Sequence, residues 1–179
     1  MSEKRDIILK LVILGDAAVG KTSLINQYVD KRFETDYKPT LGVNIIKKDV
    51  IIEEFNTKIS LILWDIAGQD KYDLTRKMFF NGCKGAFLVF DITRESTFSN
   101  IESKWLEDLK SFGTDGGNFI IIGNKVDLEN LRKVSTETGI EIANKTNAVQ
   151  FIETSAKYGV NVENTFISLV RKILTPYFS

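Results

Sequence analysis

Near the amino end, Gly15-Asp16-Ala17-Ala18-Val19-Gly20-Lys21-Thr22 has the spacing G-x-x-x-x-G-K-[ST]. That spacing suits a loop that wraps a nucleotide's phosphates: glycines let the backbone turn its N–H groups inward, and a following helix adds partial positive charge. Lys21 would reach the β and γ oxygens, and the Thr22 hydroxyl would ligate magnesium. The plainer reading is a tight turn between a strand and a helix, but the apolar run before the loop and the helix opening near Lys21 are the context the motif requires. Further along, Asp65-Ile66-Ala67-Gly68-Gln69 follows another apolar run. Asp65 is placed to hold magnesium, directly or from the second shell, Gly68 to offer its N–H to a terminal phosphate, and Gln69 to orient an attacking water. Alone, Asp-x-x-Gly-Gln fits an Asx-type turn equally well. Asn124-Lys125-Val126-Asp127 and Thr154-Ser155-Ala156-Lys157 read as base recognition; alone, Asn-Lys-x-Asp fits a polar turn equally well, and the phosphate loop favours the base. The Asp127 carboxylate accepts from two adjacent donors, as guanine offers and adenine does not, while Lys125 lays its stem along the base and the Ala156 N–H reaches O6.

Composition agrees with chemistry of this kind. Across 179 residues there is no histidine and one cysteine, so histidine-dependent nucleophiles, His-rich zinc sites and an internal disulfide are excluded. Lys+Arg and Asp+Glu balance at 24 each, which argues against a general nucleic-acid binder. An apolar fraction of 43% can build a sizeable core, and two prolines and no low-complexity stretch leave no divider along the chain. A single domain over residues 1–179 is expected, in a reducing cytoplasmic setting and without a membrane span.

The elements that must position these residues are legible as alternating patterns. Ile7–Leu14, Ile59–Trp64, Ala86–Phe90 and Phe119–Ile122 read as strands buried on both faces, and Val149–Ile152 as a further strand. Phe98, Ile101, Trp105 and Leu109, and then Val162, Phe166, Leu169, Val170 and Ile173, recur at helical spacing. Strand alternating with helix predicts a parallel sheet covered on both sides. Val43–Glu53 and Lys58–Trp64, joined by Glu54-Phe55-Asn56-Thr57, form an antiparallel hairpin, so one of six strands is reversed. Ligands of such sheets bind beyond the strands' carboxyl ends, where every motif above falls.

Taken in order, the four motifs resemble those of Ras-superfamily small GTPases over essentially the whole chain. The resemblance implies a three-layer P-loop G domain, magnesium as cofactor, and GTP and GDP as ligands. It makes Thr40, in Tyr37-Lys38-Pro39-Thr40-Leu41-Gly42, a switch threonine that closes on magnesium and the γ-phosphate. It also adds Ser23, Phe33 and Tyr37 to the nucleotide contacts and has Ser155 and Lys157 flank the base. Lys21, Thr40 and Gln69 are then the catalytic set.

Thr40-Leu41-Gly42-Val43, Phe90-Asp91-Ile92-Thr93 and Phe98-x-Asn100-Ile101-x-x-x-Trp105 look most like Rab proteins, whereas Asn44 and Gln69-Asp70-Lys71 look more like Arf proteins. Ile45, Trp64 and Phe79 occupy the Rab effector-reading positions, with ordinary packing as the alternative role. Effectors, an exchange factor and an activating protein are implied partners of a monomeric switch. Ala17 stands where glycine or serine is usual and would crowd an incoming arginine, and switch I offers no arginine of its own, so intrinsic turnover should be slow. The chain ends without a cysteine to prenylate, which leaves membrane attachment open, and Cys83 is expected in the core. The rivals are a P-loop ATPase or kinase and a nucleotide-locked scaffold that does not cycle.

Overall fold

The computed structural model describes residues 6–36, 38–68, 76–113 and 117–179. Tyr37 and Gln69, with Asp70 and Lys71, lie outside these described residues. The strands are β1 (Asp6–Leu14), β2 (Val43–Ile52), β3 (Thr57–Ile66), β4 (Cys83–Asp91), β5 (Phe119–Asn124) and β6 (Gln150–Thr154). They form one sheet in the order β2-β3-β1-β4-β5-β6. All neighbours run parallel except β2 and β3, whose register runs from Val43 opposite Ile66 to Ile52 opposite Thr57. The hairpin closes through a short 3-10 turn at Glu53–Phe55 and the left-handed Asn56. The reversed strand expected from the four-residue link is therefore present, at the sheet's edge.

Helices α1 (Lys21–Asp30) and α6 (Val162–Phe178) accompany one apolar layer, and α3 (Glu95–Asn100), α4 (Glu107–Phe112) and α5 (Thr136–Thr146) the other; α2 (Arg76–Phe80) is a short helix after β3. Strand alternation divides the core between them. Leu11, Ile13, Leu61, Leu63, Phe87 and Ile120 join Phe166 and Leu169 of α6 on one face; Val12, Leu14, Leu88, Phe90 and Ile121 join Ile101 and Trp105 on the other. Cys83 is buried at the start of β4, as its sequence setting suggested.

Two expectations need correction. Burial on both faces holds for β4 and β5 but not for β3 or the first half of β1: β3 alternates between buried Ile59, Leu61 and Leu63 and partly exposed Ser60, Ile62 and Trp64, and Ile8 is exposed. On this half-exposed face a cation covers the indole. Lys10 sets its ammonium 3.6 Å from the centre of a Trp64 ring and donates to the Asn81 carbonyl. The second correction concerns the segment following β4, which is not one regular α-helix. Between α3 and α4, Ile101–Leu106 is a π-helical turn, and its greater number of residues per turn changes which side chains share a face.

Because β1, β3, β4, β5 and β6 are parallel, their carboxyl ends lie at one edge of the sheet, and β2, running backward, starts there. The reversed strand thus brings Thr40 to the same edge. The apolar support nearest α1 is an aromatic stack, with Tyr28 and Phe166 rings 4.1 Å apart and Phe87 4.7 Å from Phe166. Phe166→Ala should cost about 3–5 kcal/mol of stability through lost burial and an unfilled cavity; urea unfolding would measure it as a lowered midpoint with unchanged slope.

Candidate functional site

A cavity of about 530 Å³ opens at this edge, with the phosphate-loop motif at one end and the second pair of motifs at the other. Ala17, Ala18, Gly20, Lys21, Thr22, Ser23, Gly68 and Thr40 line the first end; Phe33, Asn124, Lys125, Asp127, Ala156 and Lys157 line the second. Asn26, Leu128 and the segment Glu34, Thr35, Asp36 and Lys38 also face it, and sequence reasoning had assigned none of these. Gly15, Asp16, Val19, Asp65 and Ser155 stand behind the wall and act on it from there.

Steric limits shape the loop. A Cβ on Gly15 would sit 2.2 Å from the Val89 carbonyl oxygen, and one on Gly20, whose φ is 103°, would sit 2.2 Å from Asn124 Nδ2. Gly68 presses on the loop from β3's end, where an added Cβ would lie 2.5 Å from the Ala17 nitrogen. Ala18 carries a φ of 60°, a left-handed conformation uncommon for a residue with a side chain.

Side chains hold the loop in that shape. Lys21 Nζ donates to the carbonyls of Gly15 (2.7 Å) and Asp16 (2.8 Å). Arg94 Nη2 donates to the Ala17 carbonyl (3.0 Å), Lys125 Nζ to that of Ala18 (2.8 Å), and Asn124 Nδ2 to that of Val19 (2.9 Å). Asn124 also accepts through Oδ1 from the Thr154 hydroxyl (2.9 Å) and the Ala156 N–H (3.2 Å), joining the phosphate loop to the end of β6. The Ala156 N–H that the sequence assigned to a base is here engaged by Asn124. At the far end, Ser155 Oγ donates to Asp127 Oδ1 (2.7 Å), which fixes that carboxylate at the cavity wall.

Asp16 turns away from the cavity. Its carboxylate accepts from Trp105 Nε1 and Asn100 Nδ2, both at 2.7 Å. A carboxylate beside phosphates would repel them, so this outward orientation leaves only the backbone of residue 16 toward the loop's interior. Asn100 and Trp105 are five apart, a spacing that the intervening π turn, with its i to i+5 bonding, brings over one carboxylate.

The electrostatics oppose the ordinary state of two charged side chains. Burial pushes the Lys21 ammonium down to about 8, against the pull of the Asp65 and Asp16 charges. Burial likewise pushes the Asp65 carboxyl up, though hydrogen bonds from Thr22 and Thr40 and the Lys21 charge act the other way. Thr22 donates to Asp65 Oδ2 at 2.5 Å, and the Thr22 and Thr40 hydroxyls are 2.9 Å apart. Among the described residues, Asp65 Oδ1 is buried with no partner. Hydroxyl and carboxylate oxygens thus converge with an unused acceptor beside a lysine, an arrangement suited to a hard cation and polyanionic oxygens.

Away from the cavity, Ile45 is exposed and sits opposite Trp64 in the β2–β3 ladder, and Trp64 and Phe79 have ring centroids 6.4 Å apart. Leu41 and Met78 are also exposed, at 83% and 69% of their full surface. No helix among the described residues is long and apolar enough to cross a membrane.

The chain is similar to known proteins. The model of the Ras family matches residues 10–175. The sequence is 38% identical over 177 residues to Ras-related protein Rab7 of Drosophila melanogaster, covering 97% of this chain and 84% of that protein. It is 36% identical over 177 residues to Ras-related protein Rab-7a of Dictyostelium discoideum and 35% over 179 to the Ypt/Rab-type GTPase ypt7 of Pyricularia oryzae, each covering 97% of this chain and 86% of the relative.

If the cavity takes a polyphosphate, Lys21 should make its binding pH-dependent. Below about pH 8 the ligand-free site already carries the charged ammonium; above it, binding must restore a proton to Lys21. Affinity should therefore decline as pH rises past about 8, approaching tenfold per unit. Calorimetry in buffers of different ionisation heat should show proton uptake near pH 9 that is absent near pH 7.

Proposed function

Since the chain belongs to the Ras family and is a Rab-type GTPase, we propose that it is a membrane-trafficking switch whose cavity holds GTP or GDP with magnesium and hydrolyses GTP slowly. The observation that carries this reading is the joining of two specificities in one cavity: Asp127, fixed by Ser155, at one end and Lys21 within its glycine-bearing loop at the other.

Asp127 selects guanine by accepting from its two adjacent donors; adenine would leave the carboxylate facing an acceptor. Lys125 and Ala156 flank the base, Phe33 meets its edge, and Tyr37, Ser155 and Lys157 complete this end. At the other end, loop N–H groups and Lys21 neutralise phosphate charge, and Gly68 offers its N–H to the terminal phosphate. Magnesium suits the oxygen set of Thr22, Thr40 and Asp65, the last with its orphaned Oδ1. Thr22 and Thr40 would ligate it and Asp65 would hold it through its water shell; when bound, it supplies positive charge to the β and γ oxygens.

Gln69 orients the water that attacks the γ-phosphate, a task of positioning that needs no titrating base. Without an arginine supplied from outside, turnover of about 10⁻⁴ to 10⁻² per second is expected. Contacts of Thr40 and Gly68 with the γ-phosphate hold both switch segments, and hydrolysis releases them. Effectors then read the GTP state through Ile45, Trp64 and Phe79, while an exchange factor and an activating protein set its lifetime. The switch works as a monomer from the cytoplasm.

Nucleotide released from the denatured protein should be GTP or GDP; recovery of ATP or ADP alone would sink the reading. Asp127→Asn should weaken GTP by about a hundredfold or more and favour xanthosine triphosphate, as displacement titrations would show. Gln69→Leu should slow single-turnover phosphate release by on the order of tenfold without weakening binding. Tight GTP with no phosphate release by either form would instead indicate a locked scaffold.

A further inference from the structure

Resting on the reading of the cavity as a guanine-nucleotide site, we propose that Arg94 is a positioning residue for the phosphates: by holding the Ala17 carbonyl outward, it aims the Ala18 N–H at the β/γ end of the nucleotide. Arg94 stands beyond β4, outside every motif to which nucleotide contact was assigned.

Its own backbone is fixed first. Arg94 precedes α3 in an extended conformation, its N–H donates to the Asp91 carbonyl (3.0 Å), and its carbonyl accepts from the Thr97 N–H (3.0 Å) and hydroxyl (2.7 Å). The guanidinium then spans two acceptors, Asp91 Oδ2 through Nε (3.1 Å) and the Ala17 carbonyl through Nη2 (3.0 Å). Asp91 is a firm anchor. Its side chain is 2% exposed, and its other oxygen accepts from the Thr93 N–H (2.9 Å) and hydroxyl (2.6 Å). In a trans peptide the C=O and N–H point in opposite directions. Fixing the Ala17 oxygen therefore fixes the Ala18 N–H, at the residue whose φ of 60° makes the loop most strained.

The same carboxylate organises the next peptide. Asp91 Oδ2 also pairs with Lys125 Nζ (2.8 Å), which donates to the Ala18 carbonyl (2.8 Å) and so orients the Val19 N–H. One buried aspartate thereby aligns two cations on consecutive carbonyls. Lys125 has a second duty at the base; the Arg94 guanidinium bonds Asp91 and the Ala17 carbonyl and has no assigned part at the base, so its removal tests the phosphate end of the site.

The test compares the full-length wild type with Arg94→Ala and Arg94→Lys, displacing a fluorescent guanine nucleotide with GTP, GDP and GMP. Arg94→Ala should weaken GTP and GDP by about tenfold or more while changing GMP less than about twofold, because a single charge-assisted hydrogen bond is at stake. Arg94→Lys, which can still donate to Ala17, should recover most of the loss. Equal weakening of all three nucleotides, or none of any, overturns the proposal. If the wild type binds no guanine nucleotide, the reading of the cavity fails and the proposal with it; if the wild type binds and Arg94→Ala matches it, only the proposal fails. Thermal unfolding of each variant identifies misfolding, and Arg94→Lys decides the matter should Arg94→Ala not fold.

Discussion

Five consecutive backbone carbonyls, from Gly15 to Val19, each accept a hydrogen bond from a side chain: Lys21 for the first two, then Arg94, Lys125 and Asn124. A loop that must present N–H groups to a ligand cannot also pair its carbonyls in a sheet or helix, so other donors have to satisfy them. Those donors come from the starts of α1 and α3 and from the end of β5, and their arrangement depends on the strand order. With β4 and β5 on one side of β1 and β3 on the other, the loop is held from one flank by Arg94, Lys125 and Asn124 and touched from the other by Gly68. Displacing β4 or β5 would free a carbonyl, and displacing β3 would remove the Gly68 contact.

This arrangement strains the protein locally. Lys21 is buried beside Asp65, with the lysine pushed down and the carboxyl pushed up. Each is in a setting that disfavours its charge, and a phosphate beside the lysine or a cation beside the carboxylate would favour it, so the site is organised for ligands before they arrive. Strain at Ala18 and the orphaned Asp65 Oδ1 belong to the same pattern. Stability comes from elsewhere, in the two apolar layers on either side of the sheet.

Much of this was legible because the relevant residues are adjacent in sequence. Strand-loop-helix contexts exposed the phosphate loop, and short apolar runs marked the strands, including the reversed one. Asn100, Trp105 and Arg94 were not readable as parts of the site. Trp105 fits a helical apolar stripe and does pack in the core, which conceals that its indole N–H reaches Asp16; only the π turn brings Asn100 onto the same carboxylate. The spacing Phe98-x-Asn100-Ile101-x-x-x-Trp105, first noted as a Rab resemblance, thus has a mechanical meaning. Arg94 had no signal in its spacing, because its partner Ala17 is 77 positions away and bonds through a carbonyl any residue possesses. The misjudged outer face of β3 has a related cause: an apolar run does not reveal that a lysine on the next strand will cover a tryptophan.

The hairpin gives a physical route for coupling the two proposed switch segments. Val43 pairs with Ile66 at the mouth of the β2–β3 ladder, and just beyond it the Ala67 N–H donates to the Gly42 carbonyl at 3.0 Å. Thr40 lies two residues before that bond and Gly68 one residue after it. A terminal phosphate bonded to the Thr40 hydroxyl or to the Gly68 N–H would therefore draw on a shared pair of strand ends, so ordering of one segment lowers the entropy still to be lost by the other. Gly42, at a φ of 73°, permits the turn that puts Thr40 next to Thr22, and a Cβ there would meet no atom within 4 Å. The requirement at Gly42 is thus conformational, whereas at Gly68 it is steric, set by contact with the phosphate loop itself.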